Sequence, residues 1–273
     1  MKLKDEIKKN YYDPNYRGMD RDARFQVASD KIKEAASIGQ ILGIIAQVLI
    51  EFDDSHTFFL PPQHQTKVDY GWTMRVIGDD AISRAKKYKG LILDLRGNGG
   101  GWVSTMKRLV ANFCDHDVKI ADSKERKETK PLIAKTRGDK TYTGKLTILV
   151  DSDSASASEL LARTMQLEKR GTVIGDQTAG AVMTSRQYGY QTGLDVVIFY
   201  GVSVTVADMI MPDGNSLEHH GVVPDEVRLP TAEELAAGRD VVMSYAASLH
   251  GVTLDPIEAG KLFDFQLKRF STN

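Results

Sequence analysis

Apolar positions recur at helical spacing near the start of the chain, through Phe25, Val27, Ala28 and Ile32, then Ile41, Leu42, Ile45, Val48 and Leu49. Ser37 and Gly39 fall between the two sets and mark a break. The pattern predicts a helical lobe over residues 1–54. A polar patch follows, then Phe58-Phe59-Leu60, and Pro61-Pro62 end that element. Partial alternation over Val68–Ile77 predicts a strand, and Ala81–Lys89 a short helix.

A strand, a small-residue turn and a helix then occur twice. Leu91–Leu95 reads as a buried strand, Arg96–Gly101 as a glycine-rich turn and Trp102–Phe113 as a helix. Leu146–Val150 leads into the serine-dense turn Asp151–Glu159 and a helix over Leu160–Arg170, with Gly171 as its C′ residue. Thr172–Gly175 is a further strand. This alternation predicts an α/β fold with a mostly parallel sheet. Val196–Tyr200 and Ser203–Val206 read as a hairpin turning at Gly201. The end of the chain is helical from the capping box Thr231–Glu234 onward. The expected division is a helical lobe at 1–54, a core at 55–230 and a helical segment at 231–273 packing on that core.

Composition changes this picture little. The chain has 273 residues, 41% hydrophobic and 27% charged, with a formal net charge of −1. That balance gives no electrostatic case for binding nucleic acid. The Lys124–Lys130 run is interleaved with Glu and reads as a solvated face. The single cysteine, Cys114, excludes an intrachain disulfide and a Cys-rich zinc site. It is expected to be a small buried hydrophobe. No apolar run reaches membrane-spanning length. Residues 1–6 have no signal-peptide core, as would also be true of a chain starting after a cleavage site.

Candidate chemistry sits in the turns. In Asp151–Glu159 a serine could be a nucleophile at a helix N-terminus or simply an N-cap. The glycines of 96–101 could converge N–H groups as an oxyanion hole or serve only a tight turn. A phosphate cradle fits poorly, since no Lys-Ser/Thr follows them. Among six histidines, His56 stands out in its polar patch, as a base or as a structural residue. Glu218 is a loop carboxylate. Glu218-His219-His220 could suggest a metal, but adjacent histidines share no helix face and no metal is expected.

Five segments in order carry a resemblance. They are Asp54-Ser55-His56-Thr57, Asp94–Gly101, Ser154–Glu159, Gly175–Ala181 and Glu218–Asp225. Together they resemble the S41 serine peptidases, the family of C-terminal processing (tail-specific) proteases and the tricorn core protease. The resemblance spans roughly residues 8–230. It implies a ClpP/crotonase-like core with a helical lobe and no cofactor. It also implies Ser156 as nucleophile, with Ala157 and either Gly100 or Gly99 giving the oxyanion hole. The tail-specific branch uses a lysine where this chain has Ala181. Ser55-His56 and Glu218 match the tricorn-like pattern instead, implying a tetrad of Ser156, His56, Ser55 and Glu218.

The implied activity is a serine endopeptidase acting on peptides or unfolded proteins through an acyl-enzyme. A non-catalytic peptide- or small-hydrophobic-ligand-binding module is the alternative on the same fold. A crotonase-type acyl-CoA enzyme is disfavoured, because that chemistry has no need of the serine turn. Too few residues separate Val68 from Leu91 to hold the PDZ domain many relatives carry, so that domain is expected to be absent or excised near Asp80. The resemblance further implies an extracytoplasmic setting and leaves an oligomer open.

Overall fold

The computed structural model describes residues 2–62, 84–192 and 197–262. The strand expected over Val68–Ile77 and the position near Asp80 lie outside the described residues, as does the start of the helix expected from Ala81. Within them the chain runs α1 (Lys2–Asn10), α2 (Arg21–Lys33), α3 (Ile38–Ile50), β1 (Phe58–Leu60), β2 (Gly90–Asp94) and α4 (Val103–Phe113). It continues through β3 (Val118–Glu125), β4 (Thr129–Ala134), β5 (Lys145–Val150), α5 (Ala157–Leu167) and β6 (Thr172–Gly175). Then come β7 (Thr184–Thr192), β8 (Ile198–Ile210), β9 (Glu226–Val227), α6 (Ala232–Ala236), α7 (Val241–Leu249) and α8 (Pro256–Lys261). These elements form two units, one of Met1–Tyr70, Ala121–Leu132 and Ala181–His219, the other of Gly71–Ile120, Ile133–Gly180 and His220–Asn273.

The first unit is an antiparallel sheet covered by the N-terminal helices. Asp20 caps α2 through Ala23 N at 3.0 Å, and Ser37 caps α3 through Gln40 N at 3.2 Å. The caps place Phe25 and Ala28 of α2 with Ile45, Val48 and Leu49 of α3 against Val202 and Val204 of β8, together with Ile7, Tyr11 and Phe52. Burial of that apolar set is the main force holding the lobe. β8 is the spine of the sheet. β7 pairs with it along one edge, from Thr184–Ala207 to Thr192–Ile198. On the other edge β1 pairs at Val202 and its neighbours, and β3 pairs from Ala207 to Ile210. Thr205 lies between those two pairings. Its N–H donates to Thr57 Oγ1 at 3.1 Å, and its carbonyl accepts Tyr12 N–H at 3.1 Å.

The hairpin expected to turn at Gly201 is not there. Gly201 is interior to β8, paired with Leu60 on one side and Gly189 on the other. A Cβ there would lie 3.1 Å from both Leu60 Cδ1 and Tyr188 O, so the glycine serves close strand approach rather than a turn. The hairpin partner is β7, whose Arg186, Gln187 and Gln191 hide its strand character. The solvated charge run is the tip of the β3–β4 hairpin, closed by Glu125 N–H to Glu128 O at 2.8 Å.

The second unit matches the parallel expectation. Its sheet has the order β2-β5-β6-β9, and each neighbouring pair is parallel. Val242, Met243 and Ala246 of α7 and Ala259 of α8 pack with Leu149 and Ile174 of the sheet. Cys114 is buried, and burial pushes its thiol up to about 11. Gly171 is not the C′ residue of α5. Lys169 takes the left-handed conformation (φ 51°), and Arg170 N–H closes back to Met165 O at 2.9 Å. Arg170 is held there by Phe113 O at 2.6 Å and Tyr142 O at 2.6 Å. Gly171 instead lets the chain pass Leu146, whose Cγ would be 3.1 Å from an added Cβ.

Arg96 joins the sheet to α7. Its guanidinium donates to Asp94 (3.0 and 2.7 Å) and to Asp240 (3.0 and 2.7 Å), while Asp240 also caps α7 through Met243 N at 2.8 Å. Arg96→Ala strands two largely buried carboxylates, and its expected cost is roughly 3 kcal/mol by urea unfolding. Burial pushes Asp240 up, but Arg96 and the α7 amides outweigh it and hold its carboxyl below the usual range. The Asp240 contribution is therefore complete above about pH 4 and is lost as pH falls through the depressed folded value. Stability curves of the wild type and Arg96→Ala should converge over that acid window.

Candidate active site

Three turns leave the carboxyl ends of adjacent parallel strands, which is where open α/β sheets place their chemistry. They follow β2, β5 and β6. Asp151 ties the first two together, accepting Gly97 N–H at 2.9 and 3.0 Å and the Ser154 hydroxyl at 3.0 Å. Ser154 can also donate to Leu95 O at 2.8 Å, and Ala155 N–H donates to Asn98 O at 3.0 Å. Ser154 and Ser158 are buried, whereas Ser156 is half-buried at the start of α5.

Ser156 has φ 55° and ψ −118°, a backbone conformation rare for a residue with a side chain. Such strain persists only where the surroundings over-determine it. Here the fully buried Glu159 does so. One oxygen accepts Ser156 N–H at 2.8 Å, and the other accepts Thr178 Oγ1 at 2.6 Å and Gly180 N–H at 2.8 Å. Glu159 thus joins the serine turn to the turn after β6. Thr178 is fixed in turn by Val222, whose N–H donates to Thr178 Oγ1 at 2.6 Å.

Gly100 packs directly on this turn. With φ 97°, an added Cβ would lie 2.5 Å from Ser156 Cβ and 2.9 Å from Ala157 N, so only glycine fits. The structure brings Gly100, Ser156 and Ala157 together. Ala157 is the first residue of α5, where the N–H has no intrahelical acceptor. The Gly100 N–H donates to Asn98 Oδ1 at 3.0 Å. Gly99 is exposed, with open space where a Cβ would be.

Ser55, His56 and Glu218 form a second cluster, within the other unit. Glu218 is 4% exposed and accepts Ser55 N–H at 2.7 Å, the Ser55 hydroxyl at 2.9 Å and Val182 N–H at 2.9 Å. Ser55 Oγ lies 2.6 Å from His56 Nδ1. Because the hydroxyl proton points to Glu218, Ser55 Oγ accepts from His56, which assigns the proton to Nδ1. Nε2 is then the basic nitrogen. Burial lowers the His56 pKa below its ordinary 6.5; the negative charges of Glu218 and Asp54 oppose this but do not cancel it. His219 is exposed, with Nε2 3.1 Å from Asp53 O and 4.0 Å from Glu218 Oε1. Among the described residues no group of three or more His, Cys, Asp or Glu could hold a metal ion.

Sequence reasoning missed Glu159 and Asp151 as organisers. Glu159 had a readable signal, since Ser156 and Glu159 have capping-box spacing. Asp151 gave none, because its partner Gly97 is remote in the chain.

The model of peptidase family S41 matches residues 77–228, a span that contains Gly99, Gly100, Ser156, Ala157 and Glu218 but begins after Ser55 and His56. The carboxy-terminal-processing protease of Bartonella bacilliformis is 31% identical over 160 residues, 58% of this chain and 35% of that protein. This chain spans about a third of the length of the curated relatives it matches. The photosystem II D1 C-terminal processing protease superposes with a TM-score of 0.57 at 16% identity, covering 85% of this chain and 94% of that one. The tricorn protease gives 0.62 at 12% identity, covering 92% of this chain and 36% of that one. These superpositions establish a shared fold.

Glu159→Ala removes the acceptor of Ser156 N–H, Gly180 N–H and the Thr178 hydroxyl. The expected cost is on the order of 3 kcal/mol, since buried donors are left unpaired. Thermal unfolding of this variant beside Glu159→Gln, which keeps an acceptor oxygen and should lose less, checks it.

Proposed function

The chain belongs to peptidase family S41, and on that premise we propose that it is a serine endopeptidase using Ser156, His56, Ser55 and Glu218. The observation that carries this reading is the hydrogen-bonded series His56–Ser55–Glu218, which leaves Nε2 of a neutral imidazole as the proton acceptor. The strained, half-buried Ser156 at a helix N-terminus supports it. So does Ala181, which stands where the tail-specific branch of the family has its lysine.

The proposed reaction begins with Ser156 Oγ attacking the scissile carbonyl while His56 Nε2 takes its proton. Developing negative charge on the carbonyl oxygen is met by Ala157 N–H and by Gly100 or Gly99 N–H. For Gly100 to serve, its amide must exchange Asn98 Oδ1 for the oxyanion. His56 then returns the proton to the leaving amine, and water hydrolyses the acyl-enzyme. Glu218 stabilises the imidazolium through Ser55.

The proposed substrates are peptides or unfolded proteins. Too few residues separate Val68 from Leu91 to hold a PDZ domain between them, and without capture of a C-terminus by strand addition at that place the proposed preference for a free carboxylate weakens. By its family resemblance the enzyme is proposed to act outside the cytoplasm. Among the described residues no helix is long and apolar enough to cross a membrane. The engaged Gly100 amide favours one second reading, a non-catalytic peptide- or hydrophobic-ligand-binding module whose oxyanion site is unformed.

Hydrolysis of unfolded casein should be abolished by Ser156→Ala and reduced at least about 100-fold by His56→Ala. Equal, negligible turnover in all three proteins would support the binding-module reading. Since burial lowers the His56 pKa, the acid limb of kcat/KM should have its midpoint below 6.5. A pH–rate profile reads this directly, and a midpoint above that value would count against His56 as the base. A peptide and its C-terminal amide should be cleaved at similar rates.

A further inference from the structure

The turn that carries the base is organised by a carboxylate the proposed reaction does not use. Asp54 Oδ1 accepts three donors: His56 N–H at 3.0 Å, Thr57 N–H at 2.7 Å and Thr205 Oγ1 at 2.5 Å. Its Oδ2 accepts the Tyr11 hydroxyl at 2.8 Å. The two amides belong to the turn itself, and the two hydroxyls come from remote segments. Tyr11 follows α1, is fully buried and packs its ring on Phe52 at 4.9 Å. Thr205 is the middle one of three β8 residues between the β1 and β3 pairings, with its N–H donating to Thr57 and its carbonyl accepting from Tyr12. Thr57 Oγ1 also meets Thr205 Oγ1 at 3.1 Å. The Tyr11 carbonyl is held from outside by Arg126 Nη1 at 3.0 Å.

We propose that Asp54 is a positioning residue for His56, clamping the Ser55–His56 turn between the N-terminal segment at Tyr11 and the β8 gap at Thr205. The inference rests on reading His56 as the base. The geometry favours this role over a plain turn cap. An Asx cap needs only the two backbone amides, whereas both oxygens here also take hydroxyls from elements remote in sequence. The clamp fixes the backbone from which the imidazole projects. The Ser55–Glu218 bonds fix the ring nitrogen at the other end. An imidazole held at both points is pre-organised for proton transfer, and misplacement of about 1 Å costs on the order of 100-fold in rate.

Asp54 also places a negative charge near His56. Among the described residues, the other ionisable groups around the turn include Glu218, His219, Tyr11, Tyr12, Arg17, Asp53 and Asp208. The Tyr11 hydroxyl stays protonated, because burial and the Asp54 charge both raise its pKa. Removing the Asp54 charge therefore takes away one of the two carboxylates that favour the imidazolium.

The test uses the full chain in four variants: Asp54→Asn, Asp54→Ala, Tyr11→Phe and Thr205→Val. Asparagine keeps an acceptor for the three donors and can offer its amide to the Tyr11 oxygen, so this variant should fold. Two readouts are taken, casein turnover and the His56 imidazole titration followed by NMR. Asp54→Asn is expected to lower the His56 midpoint and to lower kcat several-fold with KM little changed. Asp54→Ala, where folded, should lower kcat by roughly 10–100-fold. Tyr11→Phe and Thr205→Val should lower kcat by smaller factors. An unmoved His56 midpoint in Asp54→Asn, or a turnover loss confined to KM, overturns the proposal. Absence of Ser156-dependent turnover in the wild type sinks the reading of His56 as a base, and the imidazole titration then decides alone whether Asp54 positions the ring.

Discussion

One buried carboxylate governs where Ser156 can be. Glu159 is fully enclosed and makes hydrogen bonds to three donors, of which Ser156 N–H is one. The serine backbone lies in a region of φ and ψ that it would leave if released. Glu159 supplies the opposing force, and it does so from inside the helix that the serine begins. Gly100 can approach Ser156 Cβ only because that conformation is held. The serine turn and the turn after β6 are therefore joined through this side chain, while Asp151 joins the serine turn to the glycine turn.

The other unit repeats the device with different residues. Asp54 and Glu218 each use both oxygens, and each gathers donors from segments far apart in sequence. A carboxylate suits this task because it presents about four acceptor sites and no donor, so backbone N–H groups from several directions can share it. It also keeps two irregular turns rigid with few residues, where apolar packing would need bulk that the turn cannot hold.

Much of the parallel unit was legible in the sequence. β2, β5 and β6 are short apolar runs bounded by glycine or serine turns, and local pattern is enough to find them. The antiparallel sheet was not. β7 carries Arg, Gln and Gly, β3 and β4 meet in a charge run, and Gly201 looks like a turn while lying in mid-strand. Ser156, His56, Ser55, Glu218 and the glycines were named through resemblance, since the serine turn taken alone favours a helix cap over a nucleophile. The order of contacts His56–Ser55–Glu218 needed coordinates. So did Asp54, because a hydrogen bond from Thr205 leaves no local trace in the chain.

The place of β8 has a consequence for synthesis. α3 is almost wholly apolar, and its buried face rests on Val202 and Val204. During vectorial synthesis that face leaves the ribosome long before the strand that covers it. Until then the nascent chain displays an adhesive helix with no native surface to receive it. Tyr11 and Tyr12 wait equally long for Asp54 and Thr205 to be assembled around them. The lobe is thus completed only once β8 has been made, and that interval exposes the chain to holdases and to self-association.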